Sequence, residues 1–278
     1  MAGVVPTPLD AVGRAAGIFE VIKAADVPEE IAIKKPSFLG RLLGALSFGP
    51  RVVYLASGTE PRVRFTHAHE LAHKIVPWHE DSHRFDDRGR VFGPTREILE
   101  TEANVGAAHI MFQGRVFMDR ALGYKVGLDA PLAIADDFGS SRHASIRYYV
   151  ENHPDRIALM IAGRYLSPRD DLPIFTGAQS AAFRARYGPV TDLLGWRLPA
   201  SEESAIGEVV RGAMLSASVE SGRVTIRDLK ANDRTLTCEA FFNQYTVFVI
   251  LAETGWLPLG KRIVVARAMP APGSASAR

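Results

Sequence analysis

The chain has 278 residues, room for one large domain or two small ones, and its 47% hydrophobic and 23% charged content is that of a globular protein in water. A formal charge of +2 makes no electrostatic case for nucleic acid, and a single cysteine, Cys238, excludes an internal disulfide framework and suits a reducing cytoplasm. No basic stretch and apolar core open the chain as a secretory signal would; the charge-free apolar run at residues 240–252 is too short for a bilayer and includes Asn243 and Gln244. The expectation is a cytoplasmic protein with no membrane partner.

In chain order, residues 10–25 alternate apolar and polar positions at helical spacing, ahead of Pro28, and residues 38–46 suggest a second short helix. The β-branched run Arg51-Val52-Val53-Tyr54-Leu55 reads as a strand. A helix follows over residues 63–76, closed by Pro77, which cannot continue it. Residues 77–94, rich in His, Asp, Arg, Gly and Pro, read as an exposed loop. A strong helix starts near Thr95, with Glu97 in its first turn, and runs to about Phe112. Shorter helical pieces cover 116–122, 132–138 and 142–151, and Asn152-His153-Pro154 breaks the chain. Beyond it, residues 157–161, 224–226, 245–251 and 262–265 are strand-like, with helices near 180–187 and 203–215.

The most informative segment is His69-Glu70-Leu71-Ala72-His73, an H-E-x-x-H inside the helical stretch. Residues four apart on a helix share a face, so His69 and His73 can grip one metal ion, with Glu70 beside it to take a proton from a bound water. That is the arrangement of a zinc peptidase. Two histidines need a third protein ligand, leaving one position open. His79 has the spacing of the H-E-x-x-H-x-x-G-x-x-H enzymes, but Val76 stands where the turn glycine belongs, and a β-branched residue at positive φ is costly. His83 has no such spacing. Of the acids on the next helix, Glu97, Glu100 and Glu102, the favoured ligand is Glu100, which shares a face with Asn104, while Ala103, Ala107 and Ala108 let that helix pack closely.

The runs Arg64-Phe65-Thr66-His67-Ala68-His69-Glu70-Leu71-Ala72-His73 and Leu99-Glu100-Thr101-Glu102-Ala103-Asn104 resemble the signature R-F-T-x-A-H-E-x-x-H … E-x-E-A-N of the ImmA/IrrE zinc metallopeptidases. The resemblance is specific over residues 50–115. It implies His69, His73 and Glu100 as gluzincin-like zinc ligands and Glu70 as catalytic base. It also implies cleavage of a helix-turn-helix transcriptional repressor, which switches on DNA-damage, prophage or anti-phage defence genes. The length and the mixed second half look like the IrrE subtype, or the CapP type attached to CBASS defence. The implied fold is α+β: a mostly helical zincin-like peptidase domain with a short sheet over residues 1–154, an α/β GAF-like sensor domain over 155–269, and a disordered tail over 270–278. The competing function is a non-hydrolytic regulator that binds repressor or DNA with the same fold; an intact Glu70 argues against it.

Some residues keep open roles. Asn104 is expected to support a ligand or the helix from behind. His67, His79 and His109 are candidates to polarise a substrate carbonyl. Cys238 is expected to be a small buried hydrophobe, with the sharper alternative that its thiolate caps the open zinc position as an inhibitor. Arg142, His143, Arg147 and Arg156 with Tyr148 and Tyr149 make a basic, aromatic cluster in a helix-turn-helix-like segment, residues 134–149. It is either a solvated face with packed tyrosines or a surface for single-stranded DNA as activator.

Overall fold

In a computed structural model, the structure describes residues 4–23, 44–48, 51–55, 57–86, 93–167, 169–194, 196–201, 203–216 and 218–253. The first part opens with helix α1 (Leu9–Ala15) and strand β1 (Glu20–Lys23). The expected single helix over 10–25 is therefore corrected. Gly17 at φ +81° turns the chain out of the helix, and Phe19 then bonds the Arg51 carbonyl and leads into the strand. Strand β2 (Gly44–Ser47) stands where the end of a helix over 38–46 was expected; the rest of that stretch lies outside the described residues. With β3 (Val52–Leu55) these form a sheet in the order β1-β3-β2, β1 parallel and β2 antiparallel to β3.

Helix α2 (Glu60–Ile75) carries the H-E-x-x-H segment beneath this sheet, and its start at Glu60-Pro61 uses proline where the first turn has no hydrogen bond to lose. It ends at Val76, which is extended at φ −81°, so no positive-φ turn is needed before Pro77. Pro77 opens helix α3 (Pro77–Asp86), which corrects the loop expected over 77–94. Among its described side chains, 77–81, the one fully buried is His79, where a helical pattern would carry a hydrophobe. Helix α4 (Gly93–Met111) then packs along α2. The contact is made of small residues: Ala103 and Ala107 on α4 and Ala68 and Ala72 on α2 are buried, and a Cβ on Gly106 would lie 2.8 Å from that of Ala72. Leu9, Ile18, Val53, Leu55, Leu71 and Met111 complete this core.

Three short helices follow, α5 (Val116–Ala121), α6 (Asp129–Ile134) and α7 (Arg142–Asn152). The piece expected over 132–138 is split, since α6 gives way to a 3-10 turn, Asp136–Phe138, ended by Gly139 at φ +59°. The rest is a six-stranded antiparallel sheet. Its strands are β4 (Ile157–Gly163), β5 (Asp171–Gln179), β6 (Arg197–Pro199), β7 (Glu220–Arg227), β8 (Asp233–Phe242) and β9 (Thr246–Ala252), in the order β6-β5-β4-β9-β8-β7. Helices α8 (Ala181–Tyr187), α9 (Val190–Leu194) and α10 (Ala205–Ser216) cover one face, against Ala158, Met160, Val247, Val249 and Leu251. The alternate residues Ile157, Leu159, Ile161, Phe248 and Ile250 face the opposite way, into a core shared with α5, α6 and α7.

Strand β5 went unread because its alternation is broken. On β4, Ile161 pairs with Thr176 and Ala162 with Ile174, so Phe175 is an extra residue in a bulge. The expected strand at 262–265 and the tail at 270–278 lie outside the described residues. No described helix is long and apolar enough to cross a membrane.

Candidate metal centre

Close packing of α4 on α2 brings Glu100 over the two histidines. The Nε2 atoms of His69 and His73 are 3.1 Å apart, and Glu100 Oε2 lies 3.2 Å from that of His69. Its other oxygen is 4.0 Å from His73 Nε2. The three donor atoms lie within 4.8 Å of one another, and among the described residues this is the group that can hold a metal ion. His73 is buried, His69 partly so, and Glu100 half exposed, which leaves one side of the cluster open.

The hydrogen bonds behind the rings decide what the facing nitrogens carry. Asn104 Oδ1 lies 3.1 Å from His69 Nδ1, so that nitrogen donates and Nε2 is left with its lone pair. On the other ring, His73 Nδ1 is 2.8 Å from Nδ1 of the buried His79, whose Nε2 lies 2.9 Å from Glu102 Oε2. A carboxylate only accepts, so His79 donates from Nε2; a neutral His79 ring then accepts at Nδ1 and leaves His73 Nε2 with its lone pair. Two lone pairs and a carboxylate therefore converge, an arrangement that repels itself unless a cation joins it. Zinc ligands at 2.0–2.1 Å in a tetrahedron stand about 3.3 Å apart, close to the spacing found here, and two imidazoles with one carboxylate are a zinc donor set.

Glu70 projects from the same helix, buried, with its carboxyl pushed up to about 8, first by burial and then by the negative charge of Glu100, against the pull of the Leu46 backbone N–H on β2. A cation bound beside it would favour its ionised form.

Of the other acids, Glu97 is exposed and Glu102 turns away from the cluster to accept from His79 and from Trp78 Nε1 at 2.8 Å. These two donors hold its carboxyl below the ordinary range. His79 is thus neither the third ligand nor a donor to a substrate, since both ring nitrogens are engaged inside the protein. His67 is buried with its Nε2 unpaired, and burial holds its pKa down; His109 is exposed on α4. The side chain of His83 lies outside the described residues.

Cys238 is not brought to the cluster. It is fully buried on β8 in the core beneath α8–α10, and its thiol is pushed up to about 12, chiefly by burial. It sits as a small buried hydrophobe. Tyr148 stacks on Phe112 with centroids 4.2 Å apart and Tyr149 is fully buried, so neither offers a ring for bases to stack on. Arg147 bridges to Glu151 and Arg156 to Glu253.

Residue order gives no sign of the Glu102 contact with His79. Buried His79 and Glu102 form a polar pair across two helices, and no spacing rule announces such a pair.

A sheet-covered helix carrying H-E-x-x-H, with a glutamate delivered by the next helix, has the donor set of a metallopeptidase-type centre. Residues 31–146 match the family model of the IrrE N-terminal-like domain, Peptidase_M78. Among curated proteins no sequence matches the chain. Among solved structures, a Mycobacterium tuberculosis transcriptional regulator shares the fold with a TM-score of 0.51 at 12% identity, over 90% of this chain and 71% of that one.

Proposed function

We propose that the protein is a zinc-dependent endopeptidase that cleaves a helix-turn-helix transcriptional repressor, releasing stress or defence genes. The observation that carries the peptidase reading is the convergence of His69 Nε2, His73 Nε2 and Glu100 beside the buried carboxyl of Glu70. When bound there, zinc would polarise the scissile carbonyl and acidify the attacking water. Glu70 accepts that water's proton as the C–O bond forms, then passes it to the amide nitrogen, which leaves as an amine when the C–N bond breaks. The polypeptide has a place to lie. A groove of about 1000 Å³ runs between α2, α4 and α7, lined by Phe65, Asn104, Val105, His109 and Arg147 among others, and Asn104 links it to His69.

The repressor as substrate is supported by the family match and by likeness to a transcriptional regulator. Residues 155–269 are proposed as a GAF-like regulatory unit, a reading supported by the antiparallel sheet with α8–α10 on one face. The test compares new protein N-termini in cells making the wild type with those in cells making Glu70→Gln. The expected result is cleavage within a helix-turn-helix protein by the wild type alone, while purified Glu70→Gln still binds zinc. Identical N-termini in both cells would overturn the peptidase reading.

A further inference from the structure

The pair of buried His79 and half-buried Glu102 behind the two histidines is a built device. His79 comes from α3 and is fully buried, Glu102 comes from α4, and His73 belongs to α2, so three helices meet in one chain of hydrogen bonds. Its links are short: 2.8 Å from His73 Nδ1 to His79 Nδ1 and 2.9 Å from His79 Nε2 to Glu102 Oε2. Trp78 Nε1 donates to the same carboxylate oxygen and fixes it from the side. Burying a histidine costs free energy unless both ring nitrogens find partners, and here both do. A leucine at position 79 would fill the space more cheaply, so packing alone gives no reason for an imidazole there.

We propose that His79 and Glu102 are positioning residues for the metal: the negative charge of Glu102, passed through the His79 ring, fixes the tautomer of His73 and raises the electron density on its Nε2. Metal-binding histidines are commonly backed by a carboxylate directly, and losing that partner weakens metal binding 10–100-fold. Here an interposed imidazole carries the effect one ring further. The arrangement differs from the Asn104 support of His69, because an amide can be turned end for end whereas a carboxylate cannot donate. Glu102 therefore sets the direction of the whole relay.

This inference rests on the metallopeptidase reading, and the experiment separates the two. Zinc affinity of the full chain is measured by competition with a chelator for the wild type, Glu102→Ala, Glu102→Asp and Glu80→Gln, together with the Tm of each metal-free protein. Glu102 is partly exposed, so its variants keep the fold. Glu80→Gln weakens the 2.6 Å ion pair of Lys74 and Glu80, a second link that braces α2 against α3. Expected are a loss of about 10–100-fold in Glu102→Ala, partial recovery in Glu102→Asp, wild-type affinity in Glu80→Gln, and metal-free Tm values close to wild type. A wild type that binds no zinc would end the metal reading itself. A wild type that binds zinc, with Glu102→Ala binding equally tightly, would overturn the relay alone. Losses in Glu102→Ala and Glu80→Gln that are equal and follow the metal-free Tm would overturn it as well, showing a mere brace between helices.

Discussion

Replacing Gly106 by alanine tests whether the small-residue contact between α2 and α4 sets the metal site. The new Cβ would stand 2.8 Å from that of Ala72, which is itself buried and has no flexible end to move. Ordinary contact between carbons is about 3.5–4.0 Å, so α4 must back away by roughly 1 Å. Such overpacking costs about 1–3 kcal/mol. In the opposite direction, alanine gains about 1 kcal/mol over glycine in a helix interior. The net effect on the metal-free protein is a loss of about 0–2 kcal/mol, or a fall in Tm of no more than about 8 °C for a chain of this size. Zinc affinity should suffer more, because Glu100 rides on α4 while both histidines ride on α2. A 1 Å retreat is large against a metal–ligand bond of about 2 Å, and a loss beyond tenfold is expected. Thermal unfolding of the metal-free protein and chelator competition for zinc give the two numbers. A variant more stable by about 1 kcal/mol, as helix propensity alone dictates, with wild-type zinc affinity, would refute the contact argument.

Glu100→Ala should retain the fold and lose most zinc affinity, read by metal content after dialysis; full zinc would move the third ligand elsewhere. Removing metal with a chelator should lower Tm, since a ligand that binds only the folded state stabilises it, and an unchanged Tm would count against a site on folded α2 and α4. Cys238 should resist a thiol-specific reagent in the native protein and react on denaturation, because it is fully buried with its thiol pushed up to about 12; fast native labelling would contradict its place in the core. Asp228 is held down to about 2, from an ordinary 3.8, first by the Asn232 backbone N–H and then by Arg234 and the Lys230 N–H. A depressed carboxyl contributes stability above its unfolded value and loses it as pH falls toward 2. Asp228→Ala should therefore lower the denaturant midpoint clearly at pH 7 and less at pH 3; an equal gap at both would refute the assignment.

Much of the site could be read from residue order, because its parts are local. Helical spacing places His69, Glu70 and His73 together whatever surrounds them, and the alanines after Glu100 announce a close helix contact. The same logic found β3, α2, α4 and α7 to within a few residues. It failed where a buried position is not apolar or a period is interrupted. Helix α3 hides behind the buried polar His79, β5 behind the bulge at Phe175, and the end of α1 behind Gly17.

Relations across the chain belonged to packing. Which glutamate meets the histidines depends on how α4 rotates against α2, and Gly106 on Ala72 sets that rotation so that Glu100 faces the histidines and Glu102 faces His79. Cys238, open to a sharp and a bland reading as a lone letter, is placed in the core by the side of β8 it occupies, since neighbours on a strand point to opposite faces. Its neighbour Glu239 points the other way and accepts the Leu128 backbone N–H at 2.7 Å, tying the sheet to α6. Periodicity is a short-range property and survives in one dimension, whereas the partner of a buried polar group is chosen only when distant segments come into contact.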